Sequence, residues 1–544
     1  MSKEASMSQG VLGWVERVGN WLPDPVFIFM YLILFLVAVS VAGSLAGLTA
    51  LHPTKTGPDG APLLLEAQSL LSADNIRRLW VEMPKTFTHF HPLGYVLVVM
   101  LGAGVAERSG LFSSAMRAAV RRAPTFLLTP VVALVSMVSN HAADAAYVVL
   151  IPLAGVLYAS AGRHPLAGIA ASFAGVSGGF SANVSPGQLD ALLFGITEQA
   201  AETLAPGYDA NIAGNWYFIA AMTALFLPVI WFVTDRIIEP RLGTWNPADA
   251  ESPDDGAGEE AAGNKDQGPL SDRERKGLAW AGIAALVVVA LWVFMVLGPG
   301  TPLVDETVCT DEQLAAGECS IQARLSPLYR SLVAGFLVLF LLCGWAYGKG
   351  AGTIGDHRDL VGMMTGSMKD MGYYLVLAFA AAHFVAMFDW SNLGLISAIH
   401  GANAIESSGL PLPLLLGLIV LFAGLINLFV GSASAKWALL APIMVPMLML
   451  LGVSPEGATA VYRVGDSATN IVTPVMVYFP LILIFCQRWQ KDFGLGSLTA
   501  TMIPYSIWLL AVGLALTVVW VYLGIELGPG APVHYELPQG AGQQ

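Results

Sequence analysis

The chain has 544 residues, of which 55% are hydrophobic and only 12% are charged, and its formal net charge is −13. Soluble globular proteins carry about 25% charged residues, so this composition excludes an ordinary multidomain soluble protein and a disordered chain. The negative charge argues against nucleic-acid binding, and four cysteines are too few for a disulfide-rich scaffold. The composition therefore indicates a membrane protein with many spans.

Apolar stretches along the chain predict nine membrane-spanning helices. A helix needs about 20 apolar residues to cross a bilayer, and residues 26–48 form the first such stretch. The other predicted spans are 92–106, 164–199, 214–235, 276–297, 326–346, 371–388, 455–486 and 501–524. These spans predict an all-α polytopic membrane protein.

Two further apolar segments, 125–160 and 411–452, are long enough for two passes but are interrupted midway. Small polar residues form the interruptions, SNHAAD at 139–144 and GSASAK at 431–436. We interpret both segments as re-entrant hairpins, whose halves enter and leave the membrane on the same side. With a cytoplasmic N-terminus, this topology places most Lys and Arg residues in cytoplasmic loops, as is usual for membrane proteins, and it leaves the segments 49–91, 200–213, 298–325, 389–410 and 525–544 outside. Counting either hairpin as one crossing would reverse every later loop and remove that bias.

An acidic linker at 243–275, predicted to be cytoplasmic, divides the chain into a first half, 1–242, and a second half, 276–544. In each half a hairpin is followed by a span with a polar break, SANVSP at 181–186 and SATNIVTP at 467–474. The two hairpins enter from opposite sides, so the halves are predicted to be inverted structural repeats. Inverted repeats with helices broken at the midplane are typical of secondary transporters, which bind their cargo there.

Charged residues inside the predicted spans are the first candidates for a functional site. Arg463 and Asp466 are three residues apart, so they share a helix face and can pair, and at mid-membrane each needs a partner or a polar cavity. The pair is either an anion-binding arginine beside a carboxylate that carries a proton or contacts a cation, or a structural ion pair. Asp190 follows the first break by four residues without an obvious local cation, which makes it a second candidate carboxylate.

The tip of the second hairpin carries Ser434, Lys436 and Trp437. A hydroxyl beside a large aromatic face suits an aromatic or planar substrate, whereas the alternative for Trp437 is anchoring at the membrane interface. Lys436 could neutralise either Asp466 or a substrate carboxylate, and the sequence does not choose between them.

The tip of the first hairpin carries Asn140, His141 and Asp144. His141 and Asp144 form either a proton relay or a pair that simply satisfies its own hydrogen bonds.

The sequence has no zinc-protease, phosphate-loop or serine-hydrolase motif, so no enzyme activity is predicted. The energy for transport is therefore expected to come from an ion gradient.

The run Ser434 to Trp437, with Arg463, Asp466 and Pro474 and with the first break followed by Asp190, resembles the p-aminobenzoyl-glutamate transporter (AbgT) family. The resemblance implies nine membrane helices with two re-entrant hairpins in the bacterial inner membrane. It also implies a bowl-shaped homodimer with a water-filled basin that faces the cytoplasm.

The same resemblance implies transport of p-aminobenzoyl-glutamate or sulfonamide antimetabolites, small aromatic anions, by a proton-driven exporter. A sodium-coupled importer of p-aminobenzoyl-glutamate or dicarboxylates is the alternative, and an anion channel is a more remote one. The substrate path is expected to contain Asp190, Ser434, Trp437, Arg463, Asp466 and Pro474, with Asn140, Asp144 and Lys436 as secondary candidates. No organic cofactor is expected, and a bound Na⁺ would be held by Asn183, Asn427, Asp466 and Asn470.

Overall fold

A computed structural model of the chain describes residues 24–56, 62–121, 124–142, 146–245, 269–298, 300–307, 324–473, 476 and 478–536. Asp144, Pro474 and most of the linker lie outside the described residues, as do Cys309 and Cys319, for which the sequence leaves a disulfide and two unpaired thiols equally open. In chain order the helices are α1 (Pro25–Leu45), α2 (Ala73–Thr88), α3 (His91–Arg108), α4 (Leu111–Arg121), α5 (Leu128–Val138), α6 (Ile151–Ser160), α7 (Pro165–Phe173), α8 (Gln188–Glu202), α9 (Trp216–Val233), α10 (Glu239–Leu242), α11 (Asp272–Leu297), α12 (Ser326–Arg330), α13 (Leu332–Ala351), α14 (His357–Asp370), α15 (Gly372–Trp390), α16 (Leu393–Ser407), α17 (Leu412–Asn427), α18 (Ala433–Leu450), α19 (Pro455–Thr469), α20 (Phe479–Gln487) and α21 (Leu495–Leu523).

Within the described residues, eight helical segments are long and apolar enough to cross a membrane, or nine if a bent pair at 111–141 counts as one span. Seven of them correspond to predicted spans, formed by α1, α3, α9, α11, α13, α15 and α21. The eighth is α18, which we predicted as one arm of a re-entrant hairpin and which is long enough by itself at 18 residues. The polytopic helical fold is confirmed, whereas the re-entrant course and the inverted repeat stay predictions.

The predicted span 164–199 is broken, as its sequence indicates. Helix α7 ends at Phe173, a π-helical turn follows at Ala174–Gly178, and α8 begins only at Gln188. Two adjacent glycines and a proline lie in the interval, and these residues favour non-helical backbone. The α8 N-terminus is capped because the Asp190 carboxylate accepts a hydrogen bond from the backbone amide of Gly187 at 2.7 Å.

The predicted span 455–486 is also broken, since α19 ends at Thr469 and α20 begins at Phe479. The last turn of α19, directly before the second break, contacts the first break. The backbone amide of Ser181 donates to the Ser467 hydroxyl at 3.1 Å, and that hydroxyl donates to the carbonyl of Gly178 at 2.9 Å. The Ser467 hydroxyl therefore satisfies backbone groups at the first break, which non-helical chain in a membrane requires.

Two of the segments predicted to lie outside, 49–91 and 389–410, contain helices that the sequence analysis did not predict. Helix α2 begins behind the N-cap Ser72, and α16 begins after Asn392. Helix α2 is too polar to resemble a span by itself, so an analysis based on apolar length cannot detect it. The segment between α1 and α2 contains an antiparallel pair of strands, β1 (Thr49–Thr56) and β2 (Pro62–Glu66), in which Thr49 faces Glu66.

The C-terminal tail at 524–536 packs against the start of α19. The backbone amide of Ser454 donates to Val533 at 2.9 Å, and that of Tyr535 donates to Gly452 at 2.8 Å. The carbonyl of Leu527 accepts a hydrogen bond from Phe218 in the first turn of α9 at 3.0 Å. The tail therefore joins the beginning of α19 to the beginning of α9.

Glycines allow close helix contacts, which is how small residues act in membrane bundles. A β-carbon at Gly465 of α19 would lie 2.2 Å from the carbonyl oxygen of Val420 in α17. A β-carbon at Gly102 of α3 would lie 2.5 Å from the carbonyl oxygen of Leu337 in α13. Both positions are occupied by backbone atoms of the neighbouring helix, which cannot move aside as the end of a flexible side chain can.

We expect Gly465→Ala to lower the apparent melting temperature of the purified protein, because the methyl group would force α17 and α19 apart. Overpacking of this kind costs about 1–3 kcal/mol. Gly282→Ala is the matched control, since nothing lies within 4 Å of a β-carbon there, and it should melt at or above the wild-type temperature. Equal melting of Gly465→Ala and wild type would contradict the close contact.

Candidate substrate site

The centre of the candidate site is a buried ion pair between two residues 273 positions apart. Arg463 of α19 donates from Nη1 to the Asp190 carboxylate of α8 at 2.6 Å, and both side chains are at most 3% exposed. Arg463 therefore does not pair with Asp466, the partner that its own helix offered. The i, i+3 spacing places both residues on one helix, but tertiary packing supplies each with a different partner. Asp190, for which the sequence offered no cation, receives Arg463.

This ion pair borders a cavity of about 280 Å³, which we call the break cavity because the first helix break forms one of its walls. Its polar lining residues are Asn140, His141, Ser181, Asn183, Gln188, Asp190 and Arg463. Aromatic residues that line it are Tyr147, Phe180 and Tyr374. The cavity therefore combines a cation, several amides and hydroxyls, and flat apolar surfaces.

Several buried polar atoms of the cavity wall have no hydrogen-bond partner among the described residues. They are Ser181 Oγ, Asn183 Oδ1, Gln188 Oε1, the Tyr374 hydroxyl and Arg463 Nε. Native proteins satisfy nearly all of their buried polar groups, and leaving such a group unpaired costs about 1–3 kcal/mol. A concentration of unsatisfied donors and acceptors around one cavity indicates a site that is completed by a polar ligand or by water.

The cavity wall is held in place by contacts between the two predicted motifs of the first half. Asn140 donates to the carbonyl of Met137 at 2.9 Å and to that of Gly179 at 3.1 Å, so it joins the hairpin tip to the helix break. His141 Nε2 lies 3.0 Å from the Ser185 hydroxyl in the same break. The structure therefore brings together Asn140, Asn183, Asp190 and Arg463 of the predicted residues.

A second polar cluster, which we call the Lys436 cluster, consists of Lys436 of α18 together with Asn427, Asp466, Thr469 and Asn470. Asp466 lies about one helical turn beyond Arg463 on α19. The Lys436 ammonium group is paired with the Asp466 carboxylate and also donates to the side-chain oxygen of Asn427, and these three side chains are buried. Asn427 in turn donates to the carbonyl of Asp466 at 2.6 Å, to Thr469 Oγ1 at 2.9 Å and to Asn470 Oδ1 at 3.0 Å. Of the two partners predicted for Lys436, the structure shows Asp466.

The Lys436 cluster does not fit the predicted sodium site in this arrangement. Three of the four predicted ligands, Asn427, Asp466 and Asn470, do lie together, but Asn183 lines the break cavity instead. The Lys436 ammonium already occupies the position between the Asn427 and Asp466 oxygens. A lysine ammonium and a sodium ion compete for the same oxygen ligands, so one excludes the other there.

Ser434 and Trp437 do not line the break cavity. Ser434 borders a separate apolar cavity of about 20 Å³. Trp437 is fully buried, stacks on Tyr462 with ring centroids 4.5 Å apart, and donates from Nε1 to Thr197 Oγ1 at 2.9 Å. The role of Trp437 as a contact for the substrate ring stays a prediction that would need another conformation.

Sequence reasoning missed several lining residues. Phe180 and Gln188 flank the first break directly, so their proximity to the recognised motif was a usable signal. Tyr147 and Tyr374 carried no such signal, because only the packing of distant segments brings them to the cavity. Tyr147 also stacks on Tyr478 with ring centroids 4.3 Å apart, which connects the cavity wall to the second break.

Comparisons with known proteins give consistent matches over nearly the whole chain. The AbgT transporter family model matches residues 10–535. The p-aminobenzoyl-glutamate transport protein of Escherichia coli K12 is 35% identical over 529 residues, which is 97% of this chain and 97% of that protein.

Two solved structures have the same fold. The YdaH transporter of Alcanivorax borkumensis has a TM-score of 0.83 and 39% identity, and the match covers 93% of this chain and 100% of that chain. MtrF of Neisseria gonorrhoeae, described as illuminating a class of antimetabolite efflux pumps, has a TM-score of 0.85 and 41% identity, with 96% and 100% covered. All of these relatives are membrane transporters rather than enzymes. The sequence, the fold and the cavity thus lead to one conclusion: this chain is a multi-span membrane transporter that belongs to the AbgT family.

Proposed function

We propose that this transporter is a proton-driven exporter of p-aminobenzoyl-glutamate and of sulfonamide antimetabolites. The observation that supports the proposal most is the break cavity, where Arg463 lies beside unsatisfied polar atoms and aromatic side chains. An aromatic anion presents a carboxylate or sulfonyl oxygens to the arginine and a flat ring to Phe180 and Tyr374. The names of the Escherichia coli and Neisseria relatives point to the same substrate classes.

The geometry also suggests how the substrate and a proton exchange places. Arg463 pairs with Asp190 in this arrangement, and a substrate anion would compete with Asp190 for the same guanidinium. An Asp190 carboxylate that has lost its cation in a buried site is costly to keep charged, so it takes up a proton. After the substrate has left on the outer side and the site has returned inward, Asp190 releases its proton to the cytoplasm and pairs with Arg463 again, so one proton enters for each substrate exported. The ion pair thus makes substrate binding and proton binding conditional on each other.

Transport into proteoliposomes tests this proposal. Because an exporter of this kind moves protons against the substrate, vesicles with an acidic lumen should accumulate labelled p-aminobenzoyl-glutamate, and vesicles without a pH gradient should not. Unlabelled sulfathiazole should compete and succinate should not. Accumulation that needs an acidic exterior, or no uphill accumulation under any gradient, would contradict the proposal.

The second candidate function is sodium-coupled import, and the proximity of Asn427, Asp466 and Asn470 favours it. This alternative requires the Lys436 ammonium to leave the oxygens that it occupies here. It predicts accumulation driven by an inward sodium gradient at equal pH, with competition by succinate. The same vesicles therefore separate the two functions.

A homodimer is the assembly that the family resemblance implies, and we propose it for this chain. Mass measurement of the detergent-solubilised protein tests this assembly independently of transport.

A further inference from the structure

A second cavity of about 500 Å³ lies on the side of the C-terminal tail, and we call it the tail cavity. It is lined by residues that include Tyr95, Asp209, Asn211, Arg330 and Pro529, and Arg330 pairs with Asp209 across it. The segments 200–213 and 525–544 that contribute to its wall are both predicted outside by the Lys and Arg distribution. The tail cavity is therefore expected to face the side opposite the cytoplasm.

A buried carboxyl group, Glu456, lies between this cavity and the candidate substrate site. Glu456 is in the first turn of α19 and is 4% exposed. Its Oε2 accepts a hydrogen bond from the hydroxyl of Tyr208 at 2.7 Å, and Tyr208 directly precedes the cavity residue Asp209. Among the described residues, no Lys or Arg lies within ion-pair distance of Glu456. Ionisable groups at such depth are expensive and are by default candidates for function.

A chain of hydrogen bonds leads from Glu456 to the ion pair of the break cavity. Asn215 is fully buried and donates from Nδ2 to the backbone carbonyl of Glu456 at 2.9 Å. Its Oδ1 lies 3.5 Å from Arg463 Nη1, the same nitrogen that binds Asp190. Glu456 and Arg463 are two helical turns apart on one face of α19, which is about 10 Å along the axis. Asn215 thus links the backbone of Glu456 to the Arg463 guanidinium and fixes their relative positions, while a proton from the Glu456 carboxyl group has to pass by water.

The groups that face Glu456 are acids and tyrosines. Tyr208 and Asp209 come from the segment before α9, and Tyr535 of the tail packs edge-on against Tyr208 with ring centroids 6.0 Å apart. At the tail cavity itself, Glu198 of α8 accepts a hydrogen bond from Tyr95, and Asp209 pairs with Arg330. The nearest cation on the same helix is Arg463, which is already paired. Hydrogen bonds, rather than a neighbouring cation, therefore stabilise the buried Glu456 carboxyl group.

We infer that Glu456 is the proton-entry residue of this transporter, an inference that rests on the proposed function. Its carboxylate takes a proton from water in the tail cavity at the end marked by Tyr208. The resulting carboxylic acid releases that proton, through water, to Asp190 once the substrate has displaced Asp190 from Arg463. Glu456 is then a carboxylate again, and one proton has moved inward for one substrate bound.

The test compares net transport with exchange in proteoliposomes. Glu456→Gln should abolish accumulation driven by an acidic lumen but should keep exchange of labelled for unlabelled p-aminobenzoyl-glutamate, because exchange needs no net proton movement. Glu456→Asp should restore part of the proton-driven accumulation. Tyr208→Phe, which keeps the carboxyl group, should slow proton-driven accumulation and leave exchange unchanged. Glu406→Gln, at an exposed position in the last turn of α16, is the matched control and should behave like wild type in both assays.

Two outcomes would overturn the inference. Wild-type proton-driven accumulation by Glu456→Gln would show that the carboxyl group carries no proton. Loss of accumulation and exchange together, with an unchanged melting temperature, would show that Glu456 is needed for substrate movement itself rather than for proton entry. Failure of the wild-type protein to transport either substrate class would instead contradict the proposed function, so the two failures are distinguishable.

Discussion

Arg463→Ala is expected to abolish transport of p-aminobenzoyl-glutamate. The change removes the cation of the break cavity and leaves the Asp190 carboxylate buried without its partner. Breaking a buried ion pair on one side costs about 3–5 kcal/mol, so this variant should also melt at a lower temperature. Initial rates in proteoliposomes and thermal unfolding in detergent measure the two effects separately.

The paired variant Asp190→Asn with Arg463→Gln distinguishes function from folding. Both charges are removed together, and asparagine can still cap α8 by accepting from the amide of Gly187. We expect the paired variant to melt closer to the wild-type temperature than Arg463→Ala does. Transport should still be absent. Transport at the wild-type rate by the paired variant would refute the assignment of the substrate site to this ion pair.

Asp466→Asn is expected to abolish transport as well, through the Lys436 cluster. The substitution leaves a fully buried ammonium group with Asn427 as its remaining side-chain partner. The loss of one partner of such a pair costs about 3–5 kcal/mol, which should lower the melting temperature.

The control for this prediction replaces both members of the pair, as Lys436→Met with Asp466→Leu. Apolar pairs of similar volume often match or exceed the stability of a buried ion pair, so melting should recover. Transport should not recover if the pair takes part in the transport cycle. If the paired variant regains both thermal stability and transport, the Lys436 cluster contributes to stability alone.

The helix breaks could be predicted from the sequence because their cause is local. Glycine, proline and small polar residues inside an apolar run disfavour regular helix wherever the run is placed, and 179–187 indeed lacks it. The partners of the charged residues could not be predicted in the same way. Arg463 and Asp466 lie on one helix, yet their partners come from α8 and α18, which only the tertiary fold brings near.

Two other differences have physical reasons of their own. Trp437 was expected to face the substrate because of its place at a hairpin tip, but its indole N–H finds Thr197 in the protein interior. Glu456 was overlooked although it is a carboxylate inside the predicted span 455–486, where every ionisable residue is informative. Its position in the first turn of a helix, where acidic residues are common, conceals that signal.

The most direct test of the account is whether the substrate occupies the break cavity. Gln188 is partly exposed and lines that cavity, so Gln188→Cys, in a background without the four native cysteines, gives a thiol there for maleimide labelling. We predict that p-aminobenzoyl-glutamate slows labelling of this thiol but not of a control thiol introduced by Glu406→Cys. Unchanged labelling of Gln188→Cys at a substrate concentration that saturates transport would contradict the account.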